Sequence, residues 1–433
     1  MHMRKATYLL ALPFIALLNG TITSIPGVGS IARLAAVPVA IAWLVGIQYG
    51  HGIRRLHWYH WTMLTFVFWN VLSYFWSISD SSSMENLSRY IPIVISSVML
   101  WDIFRERTQV IGGLQAYVIG AYIICLSTLY GYFTDTSGAA ISGRFSGVGF
   151  HPDDFAYLLA VPIAWELAIR NEIRSKALRL LNAVYPIMAL ITIVMTATRA
   201  SIFVALPVYL CILAGIRRTP KAIRFGFAAA ACGGVLLLSM SQFSASLGRL
   251  TAVHGSSDAS TLNGRIYLWH AAYDLMGKYP AQGVGSGAFR TLSSFYPGVQ
   301  YTEEGLPAHN TYLSVFSELG AIGFVLFLVV IGAVFWMAWQ TEGGYRAAYI
   351  TALMAFVIGS SALTYETHSQ EWLLFVLILA HSCSKAPSIQ LWRGIEHSQA
   401  TVAEPEGSIK SVAGVIARER ENLMTSSQNE RHS

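Results

Sequence analysis

Apolar segments of about twenty residues, joined by short basic connections, limit the fold of this chain more than any other feature. An α-helix needs about 20 apolar residues to cross a hydrocarbon core about 30 Å thick. The 433 residues are 54% hydrophobic and only 12% charged, which is too little charge to cover a water-soluble protein of this length. We therefore predict an all-α polytopic membrane protein with about twelve transmembrane helices, at 7–24, 31–49, 59–77, 89–104, 109–133, 154–169, 178–197, 200–216, 223–241, 311–338, 346–363 and 370–384.

The distribution of lysine and arginine predicts the orientation of these helices, because short cytoplasmic connections are enriched in both. With the N-terminus inside, most basic residues fall in inner connections or in the tail. The outer side then holds Arg33, Arg89, Arg144, Arg199, Arg249, Arg265, Lys278 and Arg290. We predict a multi-pass membrane protein with both termini cytoplasmic. The net charge of +6 fits cytoplasmic anchoring against membrane lipids and does not indicate nucleic-acid binding.

Four segments follow from this topology. Residues 1–241 are predicted to carry nine transmembrane helices, and residues 311–385 carry three more. Residues 242–310 are predicted to form one large outer loop, in which 264–278 is predicted to be a helix. Its apolar face would contain Ile266, Trp269, Ala272, Tyr273 and Met276. The polar tail, 386–433, is predicted to be weakly structured. Long loops without a role are uncommon, so we expect the function in 242–310.

Several outer arginines stand close to helix ends or to turns. Arg199 lies in a short polar segment between two apolar runs, and Arg144 lies in a loop rich in glycine and serine. Arg265 begins the predicted loop helix, Arg290 follows a glycine-rich turn, and Arg89 opens a predicted span. Guanidinium groups bind phosphate oxygens through two parallel hydrogen bonds, so converging arginines would suit a pyrophosphate. Phospholipid headgroup contact or snorkelling to the interface is the alternative for each of them.

The end of the large loop contains a histidine suited to proton exchange near neutral pH. His309 would lie at the water–membrane boundary, either as a catalytic group or as an interfacial side chain beside a helix cap. Asn310 or Thr311 is expected to provide that cap. Glu318 follows nine residues later, either in a supporting role or as a satisfied carboxylate paired with an outer arginine.

The remaining motifs exclude several classes of protein. The glycines at 283, 285 and 287 do not follow a strand of a βαβ unit, so they indicate a tight turn or a close approach of ligand to backbone. The outer histidines have no metal-ligand spacing, and all four cysteines lie in apolar runs. We predict no metal site and no cofactor. The chain has neither a P-loop nor a Gly-x-Ser-x-Gly elbow.

Taken together, a compound motif resembles the O-antigen ligase/polymerase family. Its parts are Gly264–Arg265 with Trp269, then Tyr279–Pro280, Gly283-x-Gly285-x-Gly287-x-Phe289, His309–Asn310–Thr311–Tyr312–Leu313 and Glu318–Leu–Gly320–Ala–Ile–Gly323. The segments Thr198–Arg199–Ala–Ser201 and Phe150–His–Pro152–Asp–Asp154–Phe are also similar to that family. Its usual Pro-Asn is Pro-Asp here, so no role is carried to Asp153.

The resemblance implies an integral glycosyltransferase of the bacterial inner membrane with an undecaprenyl-pyrophosphate-linked glycan as donor. The large loop 242–310 would then be periplasmic, and the active site would lie at the periplasmic face. In ligases the acceptor is the lipid A–core oligosaccharide, and in polymerases it is another lipid-linked repeat unit. The family's functional histidine matches His309, and its arginines match Arg265 and Arg199. The implied reaction is metal-independent and inverting. One large outer loop favours the ligase, a polymerase is the alternative, and a transporter without chemistry is a third.

Overall fold

Helices make up most of the residues that the computed structural model describes, as the apolar segments predict. The described residues are 2–20, 24–25, 29–134, 155–170, 172–196, 204–205, 208–209, 265–299 and 305–384. The first half contains α1 (His2–Gly20), β1 (Ser24–Ile25), β2 (Gly29–Ser30), α2 (Ile31–Gly46), α3 (Trp58–Ser73), α4 (Asp80–Ile103), α5 (Arg107–Thr134), α6 (Phe155–Ile169) and α7 (Lys176–Met195). The second half contains α8 (Arg265–Lys278), α9 (Ala288–Ser293), α10 (Thr311–Gln340), α11 (Gly343–Ser360) and α12 (Ser369–Ser382). The two strands form one antiparallel pair.

Four helical segments of the described part are long and apolar enough to cross a membrane: Ile31–Tyr49, α5, α7 and α10. Helices occupy the predicted spans, except that 200–216 and 223–241 lie outside the described residues apart from 204–205 and 208–209. The predicted tail after 385 also lies outside them. The number of about twelve spans and the cytoplasmic position of both termini therefore stay predictions.

Five of the helices pack around one region of the molecule. α10 packs against α3, α11 and α12, and α4 packs against α12. Large aromatic side chains fill the interior between them, since Phe66 on α3 stacks on Trp372 of α12 and contacts Phe327 of α10. A core built from such rings holds the helices in fixed relative positions. The ends of α4, α10 and α12 can therefore present polar side chains to a common space.

α10 is interrupted at Gly320, where the backbone leaves the helical region with φ 66° and ψ −172°. The interruption exposes main-chain groups that the segment 280–285 satisfies. Ala321 N–H donates to Pro280 O at 2.8 Å, and Gly285 N–H donates to Glu318 O at 2.8 Å. Non-helical backbone inside a predicted span is tolerated when protein groups satisfy its hydrogen bonds. This pairing attaches the loop segment to α10 through the main chain.

The helix predicted at 264–278 is present as α8, but its buried face differs from the prediction. The buried residues are Leu268, Ala271, Ala272 and Leu275, whereas Tyr273 is exposed. Of the five residues expected on the apolar face, Ala272 alone is buried. These buried residues form one apolar cluster with Val284, Ala288, Phe289 and Ala308. The face that is buried is therefore set by packing against segments outside the helix, which the spacing within the helix does not show.

Candidate functional site

A polar cavity of about 780 Å³ lies where α10 begins. Its wall combines five segments that are far apart in sequence: the first turns of α4, the turn into α9, the residues before α10, the start of α10 and the α11–α12 loop. Its lining residues include Ser82, Glu85, Asn86, Arg89, Gly287, Arg290, Thr291, His309, Ser314, Glu318, Thr364, Glu366, Thr367 and His368. The cavity thus holds both positive and negative side chains. We call it the polar cavity.

Arg89 reaches the polar cavity from the third turn of α4 and not from the end of a span, as the sequence suggested. The polar residues from Asp80 onward are helical, so α4 begins nine residues before Arg89. Arg89 forms an ion pair of 2.6 Å with Glu85, one helical turn earlier. Both side chains are substantially exposed, at 43% and 65%. The guanidinium is therefore held by an exposed partner and remains accessible from the cavity.

The glycines of the 283–287 segment allow the loop to pack tightly against helices. Gly287 has φ 78°, a conformation that glycine adopts without strain. A Cβ there would lie 2.7 Å from Asn86 Cβ on α4. The Gly287 N–H donates to Glu318 Oε2 at 2.7 Å. The glycines thus form a tight turn, which was one of the two interpretations of their spacing. Glu318 anchors that turn through its bond to the Gly287 N–H.

Ser286 fixes the same turn to α3 and α4 and was not singled out by the sequence. It is fully buried, and its Oγ donates to Asn70 Oδ1 at 2.9 Å while accepting from Asn86 Nδ2 at 3.0 Å. Its N–H donates to Ser73 Oγ at 2.9 Å, and its carbonyl accepts from Ser83 Oγ at 2.6 Å. A buried polar group with all its bonds satisfied contributes rigidity to a core. One wall of the polar cavity is therefore firmly positioned.

His309 lines the polar cavity in an unusual backbone conformation. Its φ of 48° makes it the single non-glycine residue with positive φ among the described residues. Such strain of about 1–3 kcal/mol persists where surrounding contacts over-determine the position, and it concentrates at functional sites. Both neighbours of His309 in the chain are held by hydrogen bonds. Ala308 O accepts a hydrogen bond from Trp269 Nε1 at 3.2 Å, and Asn310 caps α10 by accepting from Tyr312 N and Leu313 N.

Arg290 also lines the polar cavity, from the last turn of α9. Its Nε donates to Gly305 O at 3.2 Å, which ties α9 to the segment before His309. Ser293 strengthens that connection because its Oγ donates to Leu306 O and accepts from Leu306 N. The arginine thus approaches the cavity with one of its donors already engaged and with its position fixed.

The α11–α12 loop supplies two further ionisable side chains, Glu366 and His368, that were not selected as site residues. Both lie outside the predicted spans. Burial raises the pKa of Glu366, and the Ser314 hydroxyl and Arg89 oppose that rise. Burial and Arg89 lower the pKa of His368 to about 4, so this histidine is neutral near pH 7. No sequence pattern near His309 indicates them, because 57 residues separate His309 from Glu366.

The structure brings together some of the predicted site residues and not others. Arg89, Arg290, His309 and Glu318 line one cavity. Arg265 begins α8 and is half-buried, but it does not line that cavity. Arg144 and Arg199 lie outside the described residues. Within the described part of the chain, no group of three His, Cys, Asp or Glu side chains is arranged to hold a metal ion.

A second, apolar groove of about 510 Å³ adjoins the polar cavity. The two share Arg89, Thr367 and His368, so the guanidinium of Arg89 stands at their junction. The groove is formed mainly by apolar side chains of α1, α2 and α4, among them Phe14, Leu18, Ala36, Pro92, Ile95 and Met99. We call it the apolar groove. A polar cavity that continues into an apolar groove suits an amphiphilic ligand.

Comparison with known proteins now assigns the chain to a class. Residues 185–328 match the model of a family described as O-antigen ligase. The resemblance to the O-antigen ligase/polymerase family is confirmed. The chain is also 24% identical over 312 residues to the "Exopolysaccharide production protein ExoQ" of Rhizobium meliloti (strain 1021), across 67% of this chain and 68% of ExoQ. These likenesses, together with four helical segments long and apolar enough to cross a membrane, indicate a membrane protein that is similar to proteins of polysaccharide biosynthesis.

The family match covers Arg199, Arg265, Arg290, His309 and Glu318. It does not extend to α4 or to the α11–α12 loop, which supply the other walls of the polar cavity. The polar cavity is therefore lined both by residues of the matched region and by residues that precede and follow it in the sequence.

Proposed function

We propose that this protein is an O-antigen ligase, which transfers a glycan from undecaprenyl pyrophosphate to the lipid A–core oligosaccharide at the periplasmic face of the inner membrane. The observation that carries the proposal is that the polar cavity adjoins the apolar groove, with Arg89, Thr367 and His368 lining both. A polyprenyl pyrophosphate has an anionic head and a long apolar chain, so its two parts fit these two spaces.

The arginines are proposed to bind the pyrophosphate. Arg89 and Arg290 would bind its oxygens directly, because both line the polar cavity. Arg265, Arg199 and Arg144 are proposed to complete the donor site. Positive charge fixed beside the leaving group stabilises the negative charge that develops on it in the transition state. The family's arginines would in this way replace the metal ion used by many enzymes that act on pyrophosphates.

His309 is proposed to take the proton of the attacking hydroxyl. In the transfer, the acceptor oxygen forms a bond to the anomeric carbon while the bond from that carbon to the phosphate oxygen breaks. The electron pair leaves on the lipid pyrophosphate, and the hydroxyl proton passes to the His309 imidazole. Attack from the side opposite the leaving group inverts the anomeric configuration. Asn310 and Glu318 would support this chemistry, since Asn310 caps α10 and Glu318 anchors Gly287.

A polymerase is the second candidate, and the likeness to ExoQ favours it as much as the family description favours the ligase. Both reactions need the same donor site and differ in the acceptor. A deletion strain separates them by gel analysis of its lipopolysaccharide. Loss of all core-attached polymer with accumulation of lipid-linked polymer supports the ligase, and a single attached repeat unit supports the polymerase. Normal lipopolysaccharide with loss of secreted polysaccharide would support an exopolysaccharide polymerase and overturn the ligase.

A further inference from the structure

Two buried oxygen atoms of the α11–α12 loop have no hydrogen-bond partner within the described part of the chain: Glu366 Oε2 and Thr364 Oγ1. Glu366 is only 7% exposed, and both residues line the polar cavity. Buried polar atoms nearly always have a partner, and leaving one unpaired costs about 1–3 kcal/mol. A carboxylate oxygen and a hydroxyl on a cavity wall therefore indicate a ligand that offers hydrogen-bond donors.

The loop that carries these atoms is held rigidly. Thr311 fixes it from the start of α10, because its Oγ1 donates to Leu363 O at 2.8 Å and accepts from Tyr365 N at 2.9 Å. Trp372 Nε1 donates to the Glu366 carbonyl at 3.0 Å, and Ser314 Oγ donates to Glu366 Oε1 at 3.1 Å. One carboxylate oxygen is thus fixed by the protein and the other is left for a ligand. Preorganisation of this kind reduces the entropy lost on binding.

The charges on the cavity wall indicate whether the α11–α12 loop binds the pyrophosphate or a saccharide. A pyrophosphate would be attracted to Arg89 and Arg290 and repelled by a carboxylate. A saccharide is uncharged at its hydroxyl groups, and each hydroxyl can donate to Glu366 and accept from Thr364. Glu318 lies in the same cavity, but its Oε2 already accepts from Gly287 N–H. Glu85 also lines the cavity, but it is exposed and paired with Arg89. Of these three carboxylates, Glu366 is the one with a buried oxygen that has no hydrogen-bond partner within the described residues.

We propose that Glu366 and Thr364 form a binding subsite for hydroxyl groups of the acceptor saccharide, adjacent to the hydroxyl that attacks the donor. This inference rests on the proposed function and adds the acceptor side of the same site. Glu366 acts as a specificity-determining residue. It accepts a hydrogen bond from the acceptor and takes no part in the proton transfer assigned to His309.

The test measures donor and acceptor KM separately with the purified full-length protein. The substrates are lipid A–core and undecaprenyl-pyrophosphate-linked glycan, both extracted from the bacterium that produces the protein. Glu366→Gln should raise the acceptor KM by about 10-fold or more, because a hydrogen bond to a charged group contributes about 1.5–3 kcal/mol. The donor KM should stay unchanged. Thr364→Val should also raise the acceptor KM, by about 2- to 10-fold, and Thr364→Ser should restore it.

Glu342→Gln is the matched control, since Glu342 is exposed, precedes α11 and does not line the polar cavity. It should leave both KM values unchanged. An unchanged acceptor KM in Glu366→Gln, or an equal rise in donor KM, would overturn the subsite. Loss of wild-type transfer on treatment with EDTA would also overturn it, by making the carboxylates metal ligands. If Glu366→Gln does not fold, the comparison of Thr364→Val with Thr364→Ser decides. Failure of the wild-type protein to bind undecaprenyl pyrophosphate would instead refute the proposed function.

Discussion

Arg89 offers the sharpest test of the donor site, because its folding role and its binding role differ in size. Its ion pair with Glu85 is exposed, and exposed pairs contribute about 0.2–1 kcal/mol to stability. Hydrogen bonds from a guanidinium to an anion contribute about 1.5–3 kcal/mol. Arg89→Ala should therefore weaken binding of undecaprenyl pyrophosphate by about 10- to 150-fold while the protein stays folded.

The assay compares the Kd of undecaprenyl pyrophosphate with that of undecaprenol, which has the apolar chain without the charged head. Arg89→Ala should change the first Kd and leave the second unchanged, and Arg89→Lys should recover only part of the loss. Arg55→Ala is the control, because Arg55 is exposed and lines neither the polar cavity nor the apolar groove. Equal losses of both ligands, or wild-type binding of the pyrophosphate by Arg89→Ala, would refute the assignment of the head to the polar cavity.

Three further predictions concern catalysis, stability and pH. His309→Ala should lower the transfer rate by about 10²–10⁴-fold and still bind undecaprenyl pyrophosphate, whereas full turnover in a transfer assay would remove the proposed base. Ser286→Ala should lower the free energy of unfolding by about 1–3 kcal/mol, because Asn70 Oδ1 loses a buried hydrogen-bond donor. Thermal unfolding measures this loss, with the substitution Ser88→Ala at an exposed serine as the control. Burial raises the pKa of Glu366, so the carboxylate is protonated at a higher pH than an ordinary glutamate. As pH falls through that raised pKa, acceptor KM should rise, and Glu366→Gln should remove this dependence; a pH profile common to both proteins would contradict it. The charged and titratable groups near Glu366 are Arg89 and Tyr90 of α4, Glu318 of α10 and His368 of its own loop.

The sequence predicted features that depend on local chemistry. Asn310 precedes a long apolar run, and its side chain caps the helix as expected. The loop helix begins at Arg265, within one residue of the predicted start, although its apolar spacing indicated the wrong face. Helices of the described residues also occupy the predicted apolar segments, although α4 begins nine residues earlier than predicted.

Features that depend on packing could not be predicted in the same way. The sequence placed Arg89 at the start of a span, but α4 already begins at Asp80. Polar side chains of its first turns line a cavity whose other walls come from distant segments, which a local pattern does not indicate. Glu366 is held near the start of α10 by hydrogen bonds of Thr311 and Ser314 to the α11–α12 loop. Hydrogen bonds between such distant segments follow no periodicity in the sequence, so no sequence pattern predicts them.

The interruption of α10 at Gly320 bears on how such an enzyme can change its substrate during evolution. The loop segment 280–285 is attached to α10 by main-chain hydrogen bonds, whose strength does not depend on which side chains the segment carries. The attachment does require glycine at positions 283 and 320, because a Cβ at Gly283 or Gly320 would overlap the facing backbone. The exposed side chain of Gln282 takes no part in the attachment itself. Substitutions at such a position leave the main-chain bonds in place, so the segment can vary in sequence while it stays attached to α10.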